Sequence, residues 1–143
     1  MAIFIGSNKE TNAVQAAFGI NWFVDQFLRE RIHAYWEDLK TDRIFTLAHC
    51  IGIDTGEALI TRTGVRGDND LISVGPAPNV AAKLSDLKTG YPINITKEVF
   101  DEMDQSCATF SDTYLRIWNQ IYPSPVIGGT TRTVLGGSAI SEP

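Results

Sequence analysis

At 143 residues, with 43% hydrophobic and 20% charged side chains, the sequence reads as one ordinary globular domain able to build its own core. Its net charge of −5 argues against a nonspecific nucleic-acid binder, which needs a basic face, but leaves room for a nucleotide, whose phosphates need only a few local cations. No apolar run approaches the roughly 20 residues of a membrane helix, and the apolar start is too short for a secretory leader, so no membrane segment is expected.

In chain order, residues 1–5 (MAIFI) form a continuous apolar run that stops at Gly6, which predicts a buried strand. Thr11 or Asn12 is a candidate cap for a helix. Apolar residues then recur every three or four positions from Ala13 to Leu39, the pattern of a long amphipathic helix, with a break expected near 31–33. The aromatics Trp22, Phe23, Phe27 and Trp36 on this helix are expected to pack in core and interface. Residues 46–54 alternate as a strand does, Thr55-Gly56 reads as a turn, and 57–63 as a second strand, which together predict a hairpin. A Gly-rich polar loop over 64–69 leads to a short strand at 71–74, a helix at 78–87 and a strand at 92–95. Thr96 is the expected cap of a short helix through 103. The signals weaken after Cys107: residues 109–122 suggest two strands, 123–129 a loop and 130–135 a last strand, with 136–143 a flexible tail. The order implies an α+β domain, a mostly antiparallel sheet with helices on one face.

Cys50 and Cys107 lie far apart and form no CxxC pair, so two small buried thiols in a reduced, cytoplasmic setting are expected. His33 and His49 have no metal-ligand spacing and are expected to be structural.

Residues 51–84, IGIDTGEALITRTGVRGDNDLISVGPAPNVAAKL, resemble the pattern of class III nucleotide cyclases: a G-[IV]-x-x-G-x hairpin, a loop, a short strand ending in Gly, and N-x-A-A-R on a helix. MAIFIG at the start and ITKEVFDEM at 95–103 extend the resemblance in the right order over roughly 100 residues. The phrases AIFIG, TNAV, GIDTG and NVAAKL are similar to the bacterial antiphage (Pycsar) cyclases, which make cyclic UMP or cyclic CMP. The resemblance implies a ferredoxin-like cyclase domain over 1–135 that closes a nucleoside triphosphate, UTP or CTP, into its 3′,5′-cyclic monophosphate with loss of pyrophosphate. It further implies Mg²⁺ or Mn²⁺ and a homodimer, or pairing with another cyclase domain.

Such a reaction is in-line phosphoryl transfer, carried by positioning and charge neutralisation. By the resemblance, Asn79 matches the asparagine that orients the ribose, and Lys83 stands where the family has an arginine on the α-phosphate. Lysine supplies the charge without the planar fork. Read without the resemblance, Asn79 is a helix cap and Lys83 a solvated charge. Seven residues before Asn79, where adenylate cyclases carry an aspartate for the adenine amino group, stands Ile72. That fits a changed base preference, and equally a site that binds no base. Asp70 beside it, Phe4 on the opening strand, and Arg62, Arg66 and Arg132 are further substrate-binding candidates. Each arginine alone is more often a surface charge. The two metal-binding aspartates of the family belong to its first strand and to the turn just before MAIFIG, so their equivalents are expected ahead of Met1, with the first strand absent here. The chain then carries one half of a shared site. The alternative is a catalytically incomplete domain that binds nucleotide or completes a partner's active site.

Overall fold

The computed structural model describes residues 1–38, 47–63, 70–110 and 115–142. A long helical segment opens the fold as α1 (Lys9–Phe23), passes through a π-helical turn at Val24–Leu28, and continues as α2 (Arg29–Asp38). The helix therefore starts ahead of Thr11, with Asn8 at the cap position, and its irregularity falls at 24–28 rather than 31–33. Neither Pro nor Gly marks that turn; there Phe23 stacks on Phe27, with ring centroids 5.5 Å apart, and Trp22 meets Phe27 edge-on. Phe23 and Phe27 stay substantially exposed, so the aromatics of this stretch pack on one another more than into the core.

After β1 (Ile51–Ile53) come β2 (Leu59–Thr63) and β3 (Asp70–Val74), then α3 (Pro76–Ser85), β4 (Ile93–Thr96) and α4 (Lys97–Glu102). A short 3₁₀ turn at Gln105–Cys107 precedes β5 (Trp118–Gln120), β6 (Val126–Ile127), β7 (Thr130–Thr131) and β8 (Val134–Gly137). Four strands make the main sheet in the order β1-β4-β8-β5, and β2-β3 and β6-β7 are separate two-stranded ribbons. The expected hairpin across Thr55-Gly56 does not form. β1 instead pairs parallel with β4, Ile51 opposite Ile93 and Ile53 opposite Ile95, while β2 pairs antiparallel with β3 across residues 64–69, which lie outside the described residues. The sheet is accordingly mixed, with β4-β8 and β5-β8 antiparallel.

Helices cover both faces of this sheet, not one. Ile93 and Ile95 of β4 face a cluster with Val14, Ala17, Phe18 and Val99, drawn from α1 and α4. On the other face Asn94 donates to Leu84 O of α3, and Val80 and Leu84 pack with Ile127 and Val134. All four residues of β4 are fully buried, as a central strand with two covered faces requires.

Two further expectations change. Residues 1–5 form no strand, and Met1, Ile3, Phe4 and Ile5 are exposed, because no described strand lies beside them. The stretch from Gly136, expected as a flexible tail, is docked over its first residues. Gly136 and Gly137 belong to β8, Ala139 is in the core, and the buried Asn21 amide donates to the carbonyls of Ser138 (3.2 Å) and Ala139 (2.9 Å). Of the two strands expected over 109–122, β5 forms and Thr109 makes a single bridge to Arg116; residues 111–114 lie outside the described residues.

Candidate functional site

Helix α3 is launched by Gly75-Pro76. Gly75 sits at φ 156° in the cap position, and a Cβ there would come within 2.7 Å of Glu57 O. Pro76 follows at the first helical position, where its missing N–H costs no hydrogen bond. The helix buries Ala77, Val80 and Leu84. Asn79 and Lys83, four residues apart, therefore share the opposite, exposed face. Asn79 lies inside the helix, not at the cap, and it makes no side-chain hydrogen bond among the described residues. Lys83 makes no ion pair among them either. The two groups are thus free to meet something outside this fold.

The ribbon of β2 and β3 carries the other candidates. Ile72 sits opposite Thr61 and is 42% exposed; Arg62 sits opposite Leu71 and is exposed; Asp70 pairs with Thr63 at the ribbon's far end. Arg66 lies outside the described residues. Phe4 lines a cavity of about 930 Å³ bounded by residues 1–6, β1 and the facing sides of α1 and α3. Asn79, Lys83, Ile72, Arg62 and Arg132 do not line it.

Arg132 belongs to a polar cluster at the carboxyl ends of β1 and β4 that sequence reasoning missed. Thr96 Oγ1 donates to Asp54 Oδ1 at 2.6 Å, and the Arg132 charge acts on the same carboxylate. Burial dominates: it pushes the Asp54 carboxyl above its ordinary value, against the opposing pull of Thr96, the Thr55 main chain and Arg132. Arg132 Nε is buried without a hydrogen-bond partner among the described residues. One residue on, Thr55 Oγ1 donates to Glu10 Oε1 at 2.5 Å, and Lys9 Nζ pairs with the same oxygen at 2.5 Å. Burial pushes Glu10 up, but the hydrogen bonds from Lys9 and Thr55 outweigh it and hold the carboxyl below its usual range. The thiols of Cys50 and Cys107 are both pushed up by burial, as suits packed, protonated side chains. Burial, and then the Arg29 charge, lowers His49, and neither of its ring nitrogens has a hydrogen-bond partner among the described residues.

The donor set does not fit a divalent metal. Among the described residues no three His, Cys, Asp or Glu side chains come together to hold one, and the carboxylates of half-buried Asp54 and buried Glu10 are already engaged by hydroxyls and cations of the chain. Nor is any described helix long and apolar enough to cross a membrane.

No family model matches the chain. Against curated proteins it is 36% identical over 121 residues to a uridylate cyclase of Rhodovulum sp. (strain MB263), covering 84% of this chain and 50% of that protein. It is 42% identical over 103 residues to a uridylate cyclase of Burkholderia cepacia, covering 72% of this chain and 42% of that protein. A uridylate cyclase of Xanthomonas perforans is 40% identical over 109 residues, with 76% and 45% covered. The chain is thus similar to three uridylate cyclases at 36–42% identity and spans about half the length of the curated proteins it matches.

Proposed function

We propose that this chain supplies the ribose- and phosphate-orienting side of a nucleotide cyclase that converts UTP into cyclic UMP and pyrophosphate, in a ferredoxin-like catalytic domain. The observation that carries the reading is the pair Asn79 and Lys83, one helical turn apart on the open face of α3 and unengaged by other described residues. In the proposed site Asn79 holds the ribose so that its 3′-hydroxyl lies in line with the α-phosphorus. Lys83 neutralises charge that builds on the α-phosphate oxygens as the P–O bond to pyrophosphate breaks. The carboxylates for Mg²⁺ or Mn²⁺ come from outside the described residues, from a length of chain this one does not match or from a paired domain. Ile72 offers no hydrogen bond to a base edge, which supports a pyrimidine, CTP being the second choice. Pairing with a second copy is part of the reading, because the β2-β3 ribbon holds Leu59, Leu71, Ile72 and Val74 exposed. We assign the product the part of a second messenger in antiphage defence.

The test is to incubate the chain with UTP, CTP, ATP and GTP in Mn²⁺, alone and mixed with the Rhodovulum sp. cyclase whose residues aligned with Asn79 and Lys83 are disabled. Cyclic UMP in the mixture is expected; silence with all four nucleotides in both arms overturns the reading. The lack of a metal-holding cluster among the described residues favours a second reading, a domain that only completes a partner's site. It predicts turnover in the mixture and none alone.

A further inference from the structure

We infer that Asn94, in the central strand β4, is a positioning residue for the site on α3: its buried side-chain amide fixes the last turn of that helix, and with it the place where Lys83 meets the substrate's phosphates. This role rests on the cyclase reading of Asn79 and Lys83. Ile93 and Ile95 turn to α1 and α4, so Asn94 between them faces α3. The helix face it meets otherwise buries the apolar Ala77, Val80 and Leu84. Asn94 is nevertheless polar and 0% exposed. Burying an amide there is unfavourable unless its groups find partners.

The partners are present, and they are directional. Tyr91 N–H donates to Thr89 Oγ1 at 3.2 Å, which leaves the Thr89 proton for Asn94 Oδ1 at 2.8 Å. That bond fixes which way the amide points. Its nitrogen then donates to Leu84 O at 3.5 Å and to Cys50 Sγ, just ahead of β1, at 3.1 Å. Leu84 O also accepts from Leu87 N–H at 3.2 Å, and Asp86 N–H reaches Lys83 O at 3.3 Å, so the amide acts on the turn that carries Lys83. The Cys50 thiol lies 3.7 Å from Leu84 O and 3.8 Å from Leu87 O, a second tie to the same turn. The apolar contacts of Val80 and Leu84 have no preferred direction and tolerate a small slide or roll of the helix. Hydrogen bonds weaken steeply when misaligned, so the amide holds what packing alone leaves loose. In an α-helix the Lys83 N–H bonds back to the Asn79 carbonyl, and a shift of the last turn is passed along to that residue. A misplacement of about 1 Å is enough to lower a rate by about 10²-fold.

Asn94→Leu keeps roughly the size of the side chain and removes both donors. In the mixture with the disabled Rhodovulum sp. cyclase it should lower kcat at least about tenfold and move KM for UTP by less than about threefold. A double-mutant cycle separates positioning from stability. In a Lys83→Ala background the same substitution should cost less than about twofold further, because it acts through Lys83. A residue that only holds the fold together lowers activity by the same factor in both backgrounds. In the chain alone, Asn94→Leu should speed hydrogen exchange of the Leu87 amide at least about tenfold and leave that of Val80 unchanged. Thr89→Val, which removes the proton that orients the amide, should show the same pattern in milder form and serves if Asn94→Leu does not fold. An unchanged kcat, equal losses in both backgrounds, a loss confined to KM, or unchanged Leu87 exchange each overturn the role. A parent mixture that makes no cyclic UMP is distinguishable from all of these: it overturns the cyclase reading, and the role of Asn94 with it.

Discussion

Asn79 and Lys83 do nothing for the fold among the described residues. Both are exposed and neither is bonded within the described residues, so their removal leaves the packing of α3 intact. In the active mixture Asn79→Ala and Lys83→Ala should each lower turnover by about 10²-fold, the typical cost of one positioned donor. Tm of the chain should stay put, since surface changes of this kind are worth about ±0.5 kcal/mol or less. Asp54 is the opposite case, a residue whose burden is structural. Burial raises its carboxyl above the ordinary value despite the Thr96 hydroxyl. A carboxyl raised in the folded state holds its proton more tightly there than in the unfolded chain. Its contribution is therefore most favourable below the unfolded value and declines as pH rises from there through the folded value. Asp54→Asn keeps an oxygen for the Thr96 hydroxyl and removes the half-buried charge. It should raise Tm at pH 7 and bring no gain at pH 3; a lower Tm at pH 7 would show that the carboxylate itself is needed there. Asn79 and Lys83 could be singled out in the sequence because their i, i+4 spacing falls within a motif. Asp54, Thr96 and Arg132 come from three separate parts of the chain, and nothing local ties them together. Thr96 shows why: it occupies the cap of α4 as expected, yet its hydroxyl serves Asp54 rather than the helix.

Elements were legible where the physics is local. The 3.6-residue apolar period found α1 and α3, and the short runs found β3 and β4 to within a residue or two. The β1-β2 hairpin failed because Thr55-Gly56 satisfies a turn, while the partner of β1 is chosen by burial some 40 residues on. Ile51 and Ile53 join the cluster of α1 and α4, which sets β1 beside Ile93 and Ile95. The opening strand was misjudged for a related reason: an apolar run announces that it can be buried, not beside what. Between β1 and α3 the contact depends on one atom's absence. A Cβ on Gly52 would lie 2.1 Å from Ala81 O and 2.6 Å from Ser85 N, both backbone, so no side chain can rotate to make room. Gly52→Ala should therefore cost at least about 1–3 kcal/mol, the usual penalty for overpacking. A denaturant titration reads it as a lower midpoint. A midpoint unchanged from the parent would mean that α3 does not sit this closely on β1.

At the scale of the molecule the described surface exposes apolar side chains in several places, residues 1–5, the Phe23 and Phe27 pair and the β2-β3 ribbon among them, and the ribbon bears on assembly. Leu59 (68% exposed), Leu71 and Val74 stand on a two-stranded ribbon outside the main sheet, in a chain carrying a net charge of −5. If two copies meet through this ribbon, the apolar contact draws them together while their like charges oppose it. Salt screens the repulsion, with a Debye length of about 10 Å at 0.1 M, and leaves the apolar term in place. Association measured by sedimentation should consequently tighten between about 50 mM and 500 mM salt, the reverse of an interface built from ion pairs. Leu59→Lys is the sharper arm. An exposed position tolerates the change within about ±0.5 kcal/mol of stability, so the variant should fold as the parent does and lose the dimer. Association that weakens with salt, or survives the substitution at parental strength, would move the contact off the ribbon. The outward face of α3, with Asn79 and Lys83, would then have to meet its partner by another surface.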